Sequence, residues 1–154
     1  MNKTDNGDKP LKILFVCLAN LCRSPMAMAM AGHCHGGAIE ASSAGVSPSP
    51  TRMLPEALIV VKKLTGVDLS THIPRHVLEF DVDGFDYLIA MDSSVFMRLS
   101  GMPRIPKDKL YGWEVSDPCG LGQDAYEKTA AQIEEYLNQF LLNREMEKGL
   151  LRRR

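Results

Sequence analysis

The sequence predicts a parallel α/β sheet covered by helices on both faces, and three observations lead there. Short continuous apolar runs without polar alternation, such as Lys12 to Val16 (KILFV), suit strands buried on both faces. Segments with helical spacing lie between these runs, so strand and helix alternate along the whole chain with no repeat and no linker. A length of 154 residues, with 45% hydrophobic and 24% charged residues, fits one globular domain with its own core.

Each element follows in order. Residues 1–10 (MNKTDNGDKP) are polar and predict a flexible N-terminal segment, with the domain over 11–145 and a basic tail over 146–154. The first strand is Lys12 to Val16. Ser24 and Pro25 then mark a helix start, serine as N-cap and proline as first helical residue, so MAMAMAG reads as a buried helix closed at Gly32. Ile39 to Ser43 is the second strand, and Pro55 to Gly66 is a helix with proline near its start and glycine just past its end. Phe85 to Met91 (FDYLIAM) is the third strand, followed by a helix from Ser93 or Ser94, and Lys109 to Trp113 is the fourth strand. From about Gln123 the residues Tyr126, Ala130, Ile133, Leu137, Phe140 and Leu141 recur at helical spacing, which predicts a long closing amphipathic helix. The terminal Leu-Leu-Arg-Arg-Arg reads as a solvated helix end, where positive charge suits the macrodipole.

Composition excludes several classes. A net charge of -1 is no broad basic field for neutralising phosphates, so no nucleic-acid partner is expected. No apolar stretch reaches the roughly 18 residues of a membrane span, and the N-terminus has no signal-peptide core. A cytoplasmic protein is expected, with its four cysteines as reduced thiols rather than a disulfide framework. No coiled-coil seam is present, and a monomer is expected.

The stretch VCLANLCRSPM, Val16 to Met26, lies beyond the first strand, where ligands sit in parallel sheets. A loop leaving a strand and entering a helix points its backbone N–H groups into one concavity, and the helix dipole adds positive charge. It favours an anion. Arg23 closes this ring with a planar fork able to hold two phosphate oxygens. Cys17 lies on its floor, where the donors and the arginine stabilise a thiolate, a nucleophile aimed at phosphorus. Ser24 stands ready to exchange a proton near that thiolate. Two residues in Cys-x5-Arg spacing are weak evidence alone, since buried cysteines and arginines at helix starts are common. Displacing an alkoxide or phenoxide also needs a proton donor, and Asp117-Pro118 supplies one beyond the fourth strand. The proline holds the aspartate in extended geometry.

These residues resemble the low-molecular-weight protein tyrosine phosphatases from about Lys12 to Leu142. VCLANLCRSPMA resembles their phosphate loop, SSAG at Ser42 to Gly45 their second strand end and STHIPR at Ser70 to Arg75 a structural turn. FDYLIAMD at Phe85 to Asp92 resembles their third strand, and Asp117-Pro118 their acid loop. The resemblance implies a four-stranded parallel sheet, with Leu18, Ala19, Asn20, Leu21, Cys22 and Arg23 around the phosphate. It implies Cys17 as nucleophile, Arg23 as phosphate clamp, and Asp117 as the acid that later activates water against a phosphocysteine. It further implies that Asn20, Ser24, Ser43 and His72 form a hydrogen-bond network holding the loop, and that neither metal nor cofactor is required. Cys22 is implied as a redox partner, able to bond reversibly to an oxidised Cys17 before irreversible oxidation. Its bland alternative is a small side chain packing under the loop.

Departures from the family pattern bear on substrate. Ala19 stands where glycine is common, Met28 where glutamate is common, and Cys119-Gly120 where an aromatic wall commonly follows Asp117-Pro118. The opposite rim, Val46 to Met53, has no aromatic either. Leu21 is apolar, as in tyrosine-directed members, so phosphotyrosine in proteins is the leading substrate. Phosphoarginine or a compact phosphomonoester is the alternative, and a non-catalytic phosphate-binding module is the alternative of another class. Related arsenate reductases need further mid-chain cysteines, and none lies between Thr51 and Pro118. A zinc site from Cys17, Cys22 and the run His33 to His35 matches no tetrahedral ligand spacing. His33 and His35 are expected in a loop at the helix end.

Overall fold

The structure, a computed structural model, describes residues 9–153, apart from the side chains of 148 and 150–153. Residues 1–8, most of the segment expected to be flexible, lie outside the described residues. Strands β1 (Leu11–Cys17), β2 (Ile39–Gly45), β3 (Tyr87–Ala90) and β4 (Leu110–Gly112) alternate with helices α1 (Arg23–His35), α2 (Pro55–Thr65), α3 (Ser93–Ser100) and α4 (Gln123–Arg153). The sheet has the order β2-β1-β3-β4, and every pair is parallel.

The unbroken apolar run of β1 is explained by its central place. Ile13, Phe15 and Cys17 enter one core with residues of α1, α2 and α4, while Leu14 and Val16 enter a second core with Val95 and Leu99 of α3. Both faces are buried, so no polar alternation is needed. The chain leaves β1 toward β2 on one side and β3 lies on the other, which opens a crevice beyond the carboxyl end of β1. The parallel α/β expectation, with helices on both faces, holds.

Several boundaries differ from the sequence reading. Pairing carries β1 to Cys17 and β2 to Gly45, because the register Cys17↔Gly45 continues past the apolar run. Helix α1 starts at Arg23, with no side-chain cap, so Ser24 is not an N-cap; its hydroxyl is engaged elsewhere. Gly32 does not close α1, which continues to His35 and caps at Gly36. A helix-interior glycine costs about 1 kcal/mol, which packing of the buried face offsets. His33 and His35 therefore stand on the last turn rather than in a loop. Helix α2 ends as expected, with Gly66 left-handed at φ 77° and its N–H on the Lys62 carbonyl. Asp92 caps α3 by accepting from the Val95 N–H. In α4, Tyr126, Ala130, Ile133 and Leu137 are buried, as their spacing predicts. That helix runs across the expected boundary at 145/146 as far as Arg153. No helix among the described residues is long and apolar enough to cross a membrane.

Candidate active site

In the loop from Cys17 to Arg23, the carbonyls of residues 17–20 are taken from outside. Val46 N–H donates to the Cys17 carbonyl at 3.1 Å, Ser47 N–H to that of Leu18 at 2.8 Å, and Ser49 N–H to that of Ala19 at 3.0 Å. His72 Nε2 meets the Asn20 carbonyl at 2.9 Å. In a trans peptide the C=O and the next N–H point oppositely, and no cis bond occurs among the described residues. Turning the carbonyls of residues 17–20 outward therefore turns the N–H groups of Leu18, Ala19, Asn20 and Leu21 the other way. They line the concavity that the sequence predicts, together with the start of α1.

Asn20 fixes this shape. It adopts φ 55°, a left-handed conformation that asparagine tolerates better than most residues, while Ala19 does not. Its buried amide donates to Ser24 Oγ at 2.9 Å and Ser43 Oγ at 3.1 Å, and its Oδ1 accepts from the Arg75 N–H at 2.9 Å. The expected Asn20, Ser24, Ser43 and His72 are thus brought into one connected network. Gly45 completes the support, because the loop backbone passes so close that a Cβ there would meet the Leu18 carbonyl oxygen at 2.8 Å and the Asn20 nitrogen at 2.9 Å.

Cys17 Sγ lies 3.0 Å from Ser24 Oγ, and the Ser24 hydroxyl also lies 3.1 Å from the Ala44 carbonyl. A hydroxyl has one hydrogen, so Ser24 either donates to Ala44 while accepting from a thiol or turns to donate to a thiolate. Both states of Cys17 have a partner.

Arg23 is 5% exposed. Its Nη1 donates to Asp92 Oδ2 at 2.7 Å and to the Val115 carbonyl at 3.0 Å, which accounts for both Nη1 hydrogens. Burial works against the guanidinium charge, but the Asp92 bond and the nearby Cys17, Asp92 and Asp117 raise its pKa above the ordinary value. Partial burial pushes Asp92 up, yet the Val95 N–H and Arg23 outweigh it and hold the carboxyl below its usual range. Arg23 is thus oriented by Asp92 and tied to the segment leading into Asp117.

The acid loop is moored on α4. The Thr129 hydroxyl donates to the Ser116 carbonyl at 3.2 Å, and Ser116 N–H donates to Gln132 Oε1 at 2.9 Å. Pro118 is buried and Asp117 exposed, with its Oδ1 accepting from the Cys119 N–H at 3.1 Å. The carboxylate is therefore held by its own loop while still facing solvent.

Cys22 is buried against Tyr126, with Sγ 3.3 Å from the tyrosine hydroxyl. Burial, mainly, pushes its thiol up to about 12, and burial likewise pushes the Tyr126 hydroxyl up. Cys119 and Asp117 nearby push that thiol the same way. Sequence reasoning missed Asp92, Tyr126 and the Val115 carbonyl. Asp92 carried a signal, since an aspartate closing the third strand is a helix N-cap with a second oxygen to spare; the others had none.

Comparison with known proteins agrees with this geometry. The family model described as low molecular weight phosphotyrosine protein phosphatase matches residues 12–150. A low molecular weight protein-tyrosine-phosphatase of Bacillus subtilis is 38% identical over 98 residues, 60% of this chain and 63% of that protein. A low molecular weight phosphotyrosine protein phosphatase of Schizosaccharomyces pombe is 32% identical over 86% of this chain and 96% of its own. A protein-arginine-phosphatase of Bacillus subtilis is 30% identical over 84% of this chain and 93% of its own. The crystal structure of a low molecular weight protein tyrosine phosphatase from T. tengcongensis superposes with a TM-score of 0.76 at 32% identity, covering 86% of this chain and 99% of that one.

Proposed function

The chain belongs to the low molecular weight phosphotyrosine protein phosphatase family, and from that membership we propose that it hydrolyses phosphotyrosine in proteins through a phosphocysteine. The observation that carries this reading is the loop from Cys17 to Arg23, with the carbonyls of residues 17–20 held outward and Arg23 joined to the segment leading into Asp117. The N–H groups of residues 18–21 and the free edge of the Arg23 guanidinium, Nε and Nη2, take the phosphate oxygens. Cys17 Sγ attacks phosphorus and the bond to the leaving oxygen breaks. Asp117 gives that oxygen its proton. The same carboxylate then takes a proton from water, which attacks the phosphocysteine. Cys17 leaves as a thiolate, and the Ser24 hydroxyl turns to donate to it. Inorganic phosphate departs and no metal or cofactor takes part. The substrate is a cytoplasmic phosphoprotein and the enzyme a monomer.

A second reading, phosphoarginine as substrate, is favoured by one feature. Cys119 and Gly120 stand after Pro118 and offer no ring for a phenyl group to stack on, an interaction worth about 0.5–1.5 kcal/mol per aromatic pair. The similarity to a protein-arginine-phosphatase adds to it. Leu18, exposed beside Cys17, and Leu21 within the loop keep the rim apolar and favour the aryl ester. Side-by-side turnover of phosphotyrosine, phosphoarginine and phosphoserine peptides tests this. Phosphotyrosine is expected to give the largest kcat/KM; a larger value for phosphoarginine would replace the first reading by the second, and no turnover of any would support a binding module.

A further inference from the structure

We propose that Glu114 is a positioning residue for Arg23, because its carboxylate clamps the start of α3 to the segment beyond β4 and so holds the two acceptors that orient the guanidinium. Phosphate binding by Arg23 belongs to the phosphatase reading, on which this rests. Both Nη1 hydrogens of Arg23 are taken, one by Asp92 Oδ2 at 2.7 Å and one by the Val115 carbonyl at 3.0 Å. Two acceptors on one nitrogen fix the direction and the plane of the fork, and with them where Nε and Nη2 point. Those acceptors stand on different elements, since Asp92 caps α3 and Val115 follows β4. Any change in their spacing turns the arginine.

Backbone pairing brings the two segments side by side, with Trp113 N–H on the Ala90 carbonyl and Val115 N–H on the Met91 carbonyl, both at 2.8 Å. Past Met91 the chain turns into α3, and Glu114 takes over the connection. Ser93 N–H donates to its Oε1 at 2.9 Å and the Ser93 hydroxyl to its Oε2 at 3.3 Å. The residue after Asp92 is thereby bonded to the residue before Val115, which closes the arginine's cradle from behind. Tyr136 of α4 holds Glu114 in turn, its hydroxyl oxygen accepting from the Glu114 N–H at 3.1 Å while its ring stacks on Trp113 with centroids 5.0 Å apart. Glu114 makes no ion pair among the described residues, so its part is played through these bonds rather than through charge. A carboxylate at the start of α3 also suits the helix dipole. That contribution alone would leave the arginine where it is, and the experiment separates the two.

Turnover of an aryl phosphate and the affinity for inorganic phosphate are measured together. In Glu114→Ala, kcat/KM is expected to fall about tenfold and phosphate to bind correspondingly more weakly, since a shift of a fraction of an ångström costs less than the roughly 100-fold of a full one. Glu114→Gln should recover most of both, because its amide oxygen accepts from Ser93 N–H and its amide N–H donates to Ser93 Oγ. Ser93→Pro reaches the same contact from the other side. Proline is favoured at the first helical position, and Asp92 before it is already extended at φ -156° and ψ 172°, so α3 is kept while both donors to Glu114 are lost. It should reproduce the loss seen in Glu114→Ala. Asp92→Asn combined with Glu114→Ala should lose less than the product of the single losses, because both act through one arginine. Unchanged phosphate affinity in folded Glu114→Ala and Ser93→Pro, or a fully multiplicative double variant, would overturn the proposal and leave Glu114 a stabiliser of α3. Failure of the underlying reading looks different: wild-type protein would then neither turn over the aryl phosphate nor bind inorganic phosphate, which would overturn both.

Discussion

Asn20 occupies the left-handed region and its amide joins Ser24, Ser43 and Arg75, so one side chain holds together residues from three separate segments. Arg23 is organised in the same way from a distance, by Asp92. Replacing Asp92 with asparagine keeps the oxygen that caps α3 but removes the charge facing Arg23. We expect Asp92→Asn to cost about 1–3 kcal/mol in chemical unfolding at pH 7, toward the lower end because Asp92 is partly exposed, and to raise KM as the arginine loses its orientation. A carboxyl depressed by folding stabilises the fold above its ordinary pKa of 3.8 and loses that contribution as pH falls through the depressed value. The penalty should therefore shrink as the pH drops below about 4; a constant penalty from pH 7 to pH 3 would show that the charge is not its source. The parts proposed for Cys17, Arg23 and Asp117 come from residue chemistry and spacing. Those of Ser43 and His72 come only through the family resemblance, because an isolated polar residue carries no trace of the distant amide or carbonyl it meets.

At the scale of elements, the end of β2 and the loop 46–49 act as the template on which the phosphate loop is laid. At Gly45 the two backbones leave no room for a Cβ. Gly45→Ala brings one to 2.8 Å from the Leu18 carbonyl oxygen, so β2 or the loop must shift. We expect kcat/KM to fall by about 100-fold, following the cost of an ångström of misplacement, with only a modest loss of thermal stability. Wild-type activity in that variant would mean the loop is not laid on β2. The acid loop has a separate signature. Asp117→Ala should lower kcat/KM, which reports the step that expels the leaving group, most for an alkyl phosphate or phenyl phosphate and least for nitrophenyl phosphate, whose leaving group needs no proton; equal losses in kcat/KM would deny Asp117 the part of the acid. The sequence located both loops correctly but misread how α1 begins. Ser24-Pro25 has the composition of a helix cap, yet the Ser24 hydroxyl is drawn into the network around Cys17, and the helix starts without a cap. Function overrode the local signal, and Gly32 shows packing doing the same at the other end.

For the whole molecule, the strand order β2-β1-β3-β4 places β1 inside the sheet, with its carboxyl end between those of β2 and β3. The apolar run of β1 made the parallel sheet legible, because burial on both faces leaves no alternation. The strand order, and the way α4 moors the acid loop through Thr129 and Gln132, arise from contacts between separate elements that no local pattern records. On the proposed function, the assembled molecule brings a thiol, an arginine and a carboxylate from these parts to one anion site. The most direct test is to quench the enzyme with acid during turnover of an aryl phosphate and locate the trapped phosphoryl group. Phosphate is expected on Cys17, within fragment 13–23, in wild-type protein, with greater accumulation in Asp117→Ala with a good leaving group. No turnover is expected in Cys17→Ser, which still binds inorganic phosphate through the loop N–H groups and Arg23. Phosphate on another residue, or steady turnover by Cys17→Ser, would rule out Cys17 as the nucleophile.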